Sequence, residues 1–341
     1  MADPRFFQKT APRSLGDIAT LIGGTLNDPA HASVMIDDVA PLDKAGNGQL
    51  SFLDNPKYKD GFAVSTAAAC IIAEPLAALA PKGMALVISK NPYKAYALVA
   101  QAFYPIVFPP AQISPAATID PSAKIASGVV IDAGAFVGAE AEIGEGTWIG
   151  ANSVITAGVK IGARCKIDPS VTISYALIGD GVHIYPGVRI GQDGFGFAID
   201  PAGHIKVPQL GRVIIGDNVA IGANTCIDRG AGPDTVIGPG TWIDNLVQIG
   251  HNVQIGRGCV LVAQCGIAGS TVLEDYAVVA AQVGVAGHLR IGMGARIAAQ
   301  SGVMRDIPPR QEQMGSPAQP IKEHMRQIIA LKRLTKPQKI E

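Results

Sequence analysis

The chain is expected to fold mainly as β-structure, wound into a parallel β-helix, with a small α/β domain before it and a helical tail behind it. Three observations carry that expectation. Aliphatic residues return every six positions from Ile119 to Val303. Glycine is abundant, at 40 of 341 residues, while aromatics make only 5%. The six-residue phase is absent from residues 1–113 and from residues 306–341. Composition narrows the classes further. With 48% hydrophobic and 16% charged residues, the chain has the make-up of an ordered protein. Its 28 basic residues balance 28 acidic ones, which argues against a nucleic-acid coat or a broadly basic membrane binder. No apolar run reaches the ~18 residues of a membrane-crossing helix. The start, MADPRFFQKTAPRS, lacks the apolar stretch of a secretion signal. The five cysteines (Cys70, Cys165, Cys226, Cys259 and Cys265) are odd in number and form no CxxC pair. A disulfide or zinc framework is therefore not expected. These features predict a soluble, cytoplasmic protein.

The elements follow in chain order. Ser14, with Asp17 three residues on, heads the apolar segment IATLIGG and predicts a capped short helix ending in glycines. AACIIA (68–73) and MALVIS (84–89) read as strands, and NPYKAYALVAQAF (91–103) as a helix. Residues 1–113 thus form a small α/β domain, large enough to bury a core of its own. The proline-rich FPPAQISPAATIDPSA (108–123) reads as a linker.

The repeat itself occupies residues 114–305. Its aliphatic position runs through Ile119, Ile125, Ile131, Val137, Ile143, Ile149, Ile155, Ile161, Ile167 and Ile173. After a one-residue deletion it continues at Ile178, Ile184 and Ile190, and it breaks for a loop from Gln192 to Arg212. It resumes at Ile215, absorbs four extra residues around Gly230–Asp234, and holds from Ile237 to Val303. A period of six is neither helical nor a simple alternation. It suits short extended segments that send one aliphatic side chain inward and then turn a corner, with glycine where the corner needs it. Three segments make a coil of 18 residues, and coils stack at ~4.8 Å. The 28 or so hexads then give about nine coils and a prism ~45 Å long. Cys259 and Cys265 share one phase and should point into the core as small apolar fillers. After residue 305, DIPPRQEQMGSPAQP breaks the phase. A helix from Ile321 to about Leu334 follows, in a tail (306–341) that holds the chain's one basic cluster: Lys322, Arg326, Lys332, Arg333, Lys336 and Lys339. Its charge fits a solvated amphipathic tail or a docking surface for an acidic partner.

A β-helix does not name a reaction. Among the six histidines, His251 (in IGHNVQ) and His288 (in VAGHLR) lie 37 residues apart, two coils plus one residue, and so sit on nearly one face. Asp244 precedes His251 by seven residues, around a corner. A carboxylate beside an imidazole fixes its tautomer and stabilises the imidazolium, as general-base chemistry needs. The seven-residue offset leaves open whether the two meet within one chain or across a subunit interface. No Gly-x-Ser-x-Gly, phosphate-loop or dinucleotide motif appears in the required context, and the histidine spacing does not favour a metal site.

The strings SFLDNPKYK (51–59), KNPYKAYA (90–97), GQDGFGFA (191–198), GRVIIGDNVAIGANTCIDRGA (211–231), IDNLVQIGHNVQIG (243–256) and GVAGHLRIG (284–292) resemble, in order and spacing, those of bacterial UDP-3-O-acylglucosamine N-acyltransferases of lipid A biosynthesis. Hexapeptide repeats alone are shared by many acyltransferases, whereas SFLDNPKYK is more specific. The resemblance implies a homotrimer of left-handed β-helices with sites between subunits. Left-handedness comes from this resemblance, since ordinary crossovers are right-handed. It further implies transfer of an (R)-3-hydroxyacyl group from acyl carrier protein, on its 4'-phosphopantetheine, to the 2-amine of a UDP-3-O-acyl-glucosamine, with no metal and no cofactor of the enzyme's own. By similarity His251 is the base, Asp244 its support, Gly269 the oxyanion donor through its N–H, and His288 an assisting residue. Phe52 and Tyr58 match a pair that sandwiches uracil, with Asn55 reading its polar edge. The basic tail gains an acidic partner in the carrier protein, and the small residues of Ala299–Met304, Gly302 among them, bear on acyl length. Two other readings of the fold stay open: an acetyl-CoA-dependent sugar acetyltransferase, and a β-helix that only binds or scaffolds.

Overall fold

The computed structural model describes residues 2–316 and 320–334. The chain divides into two compact units, Met1–Phe108 and Pro109–Glu341.

The first unit is a five-stranded sheet with helices. Its strand order is Thr25–Leu26, Ala85–Ile88, Ala69–Ile72, Gln49–Leu53, Asp38–Val39, parallel except for the Thr25–Leu26 edge. Every residue of Ala69–Ile72 is buried, as a strand covered on both faces requires. One side packs against helices α1 (Leu15–Ile22) and α3 (Pro92–Phe103), joining Leu15, Ile18, Ile71, Val87, Val99 and Phe103. The other side packs Leu53, Phe62, Cys70 and Ile72, with Phe62 supplied by α2 (Lys59–Ala63). The predicted cap is present: the Ser14 hydroxyl accepts from the Asp17 N–H at 3.1 Å, and Gly23 ends α1 in the left-handed conformation.

The second unit is a parallel β-helix with three faces. The first carries nine strands, from Lys124–Ile125 to Arg290–Ile291; the second eleven, from Gln112–Ile113 to Glu312–Gln313; the third ten, from Thr118–Ile119 to Gly302–Val303. Ile149, Ile167, Ile184, Ile221, Ile243 and Leu261 stack in register along the second face and are buried. The deletion and the four-residue insertion are visible as Ile161 pairing with Ile178 and Ile221 with Ile243. Cys259 and Cys265 are in the core as expected, and burial pushes their thiols up to about 11 and about 12.

Two readings need correction. The proline-rich stretch after residue 108 is not all linker, because Gln112–Ile113 already pairs with Val130–Ile131 as the first strand of the second face. The prolines precede strands that need no N–H partner from an earlier coil. Likewise the solenoid outlasts the loss of phase. Ile307 bridges to Ile291, and Glu312–Gln313 pairs with Arg296–Ile297, each two residues short of a full coil. Helix α4 (Ile321–Leu334) follows; Lys336 and Lys339 of the basic cluster lie outside the described residues.

Glycine serves the corners in two distinct ways. Positions of positive φ take Gly187 but also Asn152, Asn224 and Asn252, so glycine is optional there. The glycine after the aliphatic residue has ordinary φ and is required by closeness: a Cβ on Gly150 would lie 2.7 Å from the Ile167 carbonyl oxygen of the next coil.

Candidate active site

The third face bears a groove of about 1110 Å³. Its floor follows from register. Gln248 pairs with Gly266, Gly266 with Gly284, and Gly284 with Gly302, so three successive coils present no side chain outward. A Cβ on any of these three glycines would meet nothing within 4 Å. Ala268, Ala286, Val285 and Met304 complete an apolar trough.

His251 stands at the head of this trough, at the corner after the strand Gln248–Ile249. Its ring lies over Gly269 of the next coil, where a Cβ would sit 2.7 Å from Nε2. Gly194, from the inserted loop, closes the other side: a Cβ there would be 2.4 Å from that of His251. The imidazole is oriented by its neighbour. Asn252 Oδ1 lies 2.9 Å from His251 Nδ1 and also accepts from the Ala231 N–H, while Asn252 Nδ2 donates to the Pro233 carbonyl. These two backbone bonds fix which end of the amide is oxygen. His251 Nδ1 must then be the donor, which leaves the Nε2 lone pair as the basic site.

The Gly269 N–H is the second chemical feature. At equivalent corners the N–H groups of Ala163 and Ala223 donate to Asp180 and Asn245 of the next coil. The residue one coil beyond Gly269 is Gly287, which has no side chain, and nothing accepts from the Gly269 N–H among the described residues. A backbone donor beside the imidazole is thus left available for a ligand oxygen.

The remaining predicted residues are distributed more widely. Asp244 lies at a corner of the second face, in a separate hollow of about 440 Å³ with Tyr185 and Trp242, and its carboxylate accepts from the N–H groups of Asn245 and Ala263. Within one chain it does not reach His251; Asn252 holds Nδ1 instead. His288 is exposed, outside the walls of the groove, with its N–H on the Gly269 carbonyl. In the first unit, Phe52, Asn55 and Tyr58 line one hollow of about 420 Å³. Tyr93 lines it too, its ring 5.5 Å from that of Phe52. Asn55 Oδ1 caps the turn Pro56–Tyr58 by accepting from the Lys57 N–H.

Sequence reasoning missed three residues around His251. Asn252 was passed over in favour of a carboxylate, although it follows the histidine directly. Asp228, 9% exposed, lines the groove and accepts from Gln192 Nε2 at 2.7 Å; burial raises its carboxyl above the usual range. Arg229 joins the two ends of the inserted loop. Its guanidinium donates to the Gly191 and Gln209 carbonyls at 2.8 Å each, pairs with Asp193, and lies over the Tyr175 ring at 4.0 Å. The loop it anchors carries a hairpin, Phe197–Ala198 against Ile205–Lys206. Among the described residues no cluster of His, Cys, Asp and Glu can hold a metal ion, and no helix is long and apolar enough to cross a membrane.

Comparison with known proteins agrees with this architecture. Residues 33–102 match the family model for UDP-3-O-(3-hydroxymyristoyl) glucosamine N-acyltransferase, LpxD. Residues 140–175 and 234–269 match bacterial transferase hexapeptide repeats, and 212–232 the hexapeptide repeat of succinyl-transferase. A UDP-3-O-acylglucosamine N-acyltransferase of Parvibaculum lavamentivorans is 61% identical over 226 residues, 64% of each chain. Proteins of that name from Methylobacterium sp. and Methylorubrum extorquens are 47% and 49% identical, covering 98% of this chain and 97% of their own. The crystal structure of Arabidopsis UDP-N-acetylglucosamine acyltransferase shares the fold, with 22% identity, a TM-score of 0.55, and coverage of 67% of this chain and 86% of that one. Matches of this identity along nearly the full length, joined to the hexapeptide β-helix and its histidine-headed trough, show that the chain belongs to the UDP-3-O-acylglucosamine N-acyltransferase family.

Proposed function

We propose that the protein transfers a 3-hydroxyacyl group from the phosphopantetheine thioester of acyl carrier protein to the 2-amine of a UDP-3-O-(3-hydroxyacyl)-glucosamine. The observation that carries the mechanism is the orientation of His251, whose Nδ1 is committed to Asn252 and whose Nε2 faces the groove. The amine nitrogen attacks the thioester carbonyl and gives one proton to Nε2. Negative charge gathers on the carbonyl oxygen, for which the unpaired Gly269 N–H is a preorganised donor. The C–S bond then breaks, and the imidazolium returns its proton to the departing sulfur. The acyl chain lies along the glycine and alanine floor, where an apolar tail loses water at about 0.8 kcal/mol per methylene.

Phe52, Tyr58 and Tyr93 offer ring faces for the uracil, and Asn55 an amide for its polar edge. The basic residues of α4, Lys322, Arg326, Lys332 and Arg333, suit an acidic carrier protein. The working unit is a homotrimer, and Asp244 and His288 act in it: a second subunit is what Asp244 needs to meet a neighbour's His251. The cytoplasmic location expected from the sequence belongs with this reading.

The test is product mass spectrometry with UDP-3-O-acyl-glucosamine and either 3-hydroxyacyl carrier proteins or acyl-CoAs of varied length. Addition of a 3-hydroxyacyl mass from the carrier protein alone, lost in His251→Ala while the thermal midpoint stays in place, is the expected result. Product from acetyl-CoA alone would replace this reading with a sugar acetyltransferase.

A further inference from the structure

Two carboxylates line the groove near His251, and they differ in what neutralises them. Asp193 is paired with Lys206 and Arg229. Asp228 is nine-tenths buried, and its side-chain partners are the neutral amides of Gln192 and Gln248. No salt bridge reaches it among the described residues, and the His251 imidazole lies close enough to act on it. A buried carboxylate without a cation is costly, and the cost falls only when a donor arrives. Sequence could have supplied a smaller acceptor at this point, yet the carboxylate sits on the strand Cys226–Arg229 that pairs directly with the strand leading to His251.

We propose that Asp228 contacts the attacking amine, accepting a hydrogen bond from the N–H that His251 does not take. The proposal rests on the N-acyl transfer reading and deepens it. An attacking primary amine carries two N–H groups. As nitrogen bonds to the thioester carbon, one proton moves to His251 Nε2 and on to the leaving sulfur, while the other stays on the product amide. Holding that second N–H aims the nitrogen lone pair at the carbonyl, which is positioning a single base cannot supply. A charged acceptor makes the stronger bond and also favours an amine, in either protonation state, over a neutral hydroxyl nucleophile.

The experiment compares wild type with Asp228→Asn, which keeps shape and an acceptor oxygen but not charge, and Asp228→Ala. Initial rates are taken with varied UDP-sugar acceptor, using both a 3-hydroxyacyl carrier protein and the carrier protein of the matching unsubstituted acyl chain. Asp228→Ala is expected to lower kcat/KM for the acceptor by about 10- to 100-fold, Asp228→Asn by less, with the preference between the two donors unchanged. The same thermal midpoint in Asp228→Asn shows that the fold is not what failed. Rates within about threefold of wild type for both variants overturn the proposal. So does a loss confined to the hydroxylated donor, which would make Asp228 a reader of the acyl hydroxyl. A wild-type enzyme that forms no amide at all overturns the underlying reading instead, and the proposal with it.

Discussion

Gly269→Ala is the sharpest probe of the groove, because it adds one methyl group at a known place. That carbon would lie 2.7, 2.8 and 3.1 Å from Nε2, Cε1 and Cδ2 of His251. Comfortable contact begins near ~3.5 Å, so the ring must retreat by roughly 0.8 Å. It cannot slide freely, since Nδ1 is held by Asn252, whose amide is itself tied to Ala231 and Pro233. Gly269 has no positive φ, so alanine brings no backbone strain, and the residue keeps its N–H. The substitution therefore moves the proposed base and leaves the proposed oxyanion donor in place. Overpacking of this kind costs about 1–3 kcal/mol, and displacement of a reacting group by about 1 Å costs on the order of 100-fold in rate. We expect kcat to fall about 100-fold, with a drop of only a few degrees in thermal midpoint. A double-mutant cycle with His251→Ala completes the assay: in that background the methyl group should cost almost nothing. An unchanged rate in the single variant, or an equal loss in both backgrounds, would refute the placement of His251 as the base.

Four further outcomes follow from other contacts. Asn252→Ala frees the Nδ1 tautomer and should lower kcat by about tenfold, whereas Asn252→Asp keeps an acceptor there and should lose less; steady-state kinetics read the difference. Arg229→Met unties both ends of the inserted loop, at a local cost of about 3–5 kcal/mol, and should expose residues 195–210 to limited proteolysis before the solenoid melts. Cys226 alone among the cysteines is not fully buried and lines the groove, and burial pushes its thiol up, so thiol titration of the native protein should show one group that reacts slowly but ahead of the other four, and whose alkylation stops transfer. Asp168 gives a pH signature. Burial acts to raise its carboxyl, but the bonds from His183 and Lys166 prevail and hold it below the ordinary value. A depressed carboxylate stabilises the fold fully above its unfolded pKa, and this is lost as pH falls through the folded value. Asp168→Asn should thus lower the melting temperature at pH 7, and the gap from wild type should close toward pH 3.

The β-helix was legible because its physics is local and repeated. One inward aliphatic side chain per six residues writes each strand into the sequence, and even the one-residue deletion and the four-residue insertion were readable as shifts of phase. The ends were less legible. At Gln112–Ile113 and Glu312–Gln313 the strand pairs only on one side, so prolines and charged residues are tolerated and the hydrophobic signal fades. His251 was singled out because it shares a face with His288, two coils and one residue away, and its role as base came from the family resemblance. Its orienter was not, because the search was for a carboxylate, while the fold uses an amide whose polarity is set by two backbone groups brought from an insertion about 20 residues earlier. Asp228 and Arg229 were invisible for a related reason: their partners, Gln192, Gly191 and Gln209, lie 20 to 38 residues away across a break in the repeat.

A perfect hexapeptide prism has three flat faces, and flat faces bind little. The departures from the period before the terminal coil lie along the groove headed by His251. The deletion puts Tyr175, at positive φ, under the Arg229 guanidinium. The register shift between Ile190 and Gln192 opens the long insertion that carries Gly194 to the imidazole. The four-residue insertion supplies the Ala231 N–H and Pro233 carbonyl that fix Asn252. Even the missing side chain at Gly287, which frees the Gly269 N–H, is an irregularity of the same kind. In a fold whose stability comes from sameness between coils, chemistry has to be placed where sameness fails. The phase breaks of such a sequence are therefore a better guide to its candidate groove than the identity of any single residue.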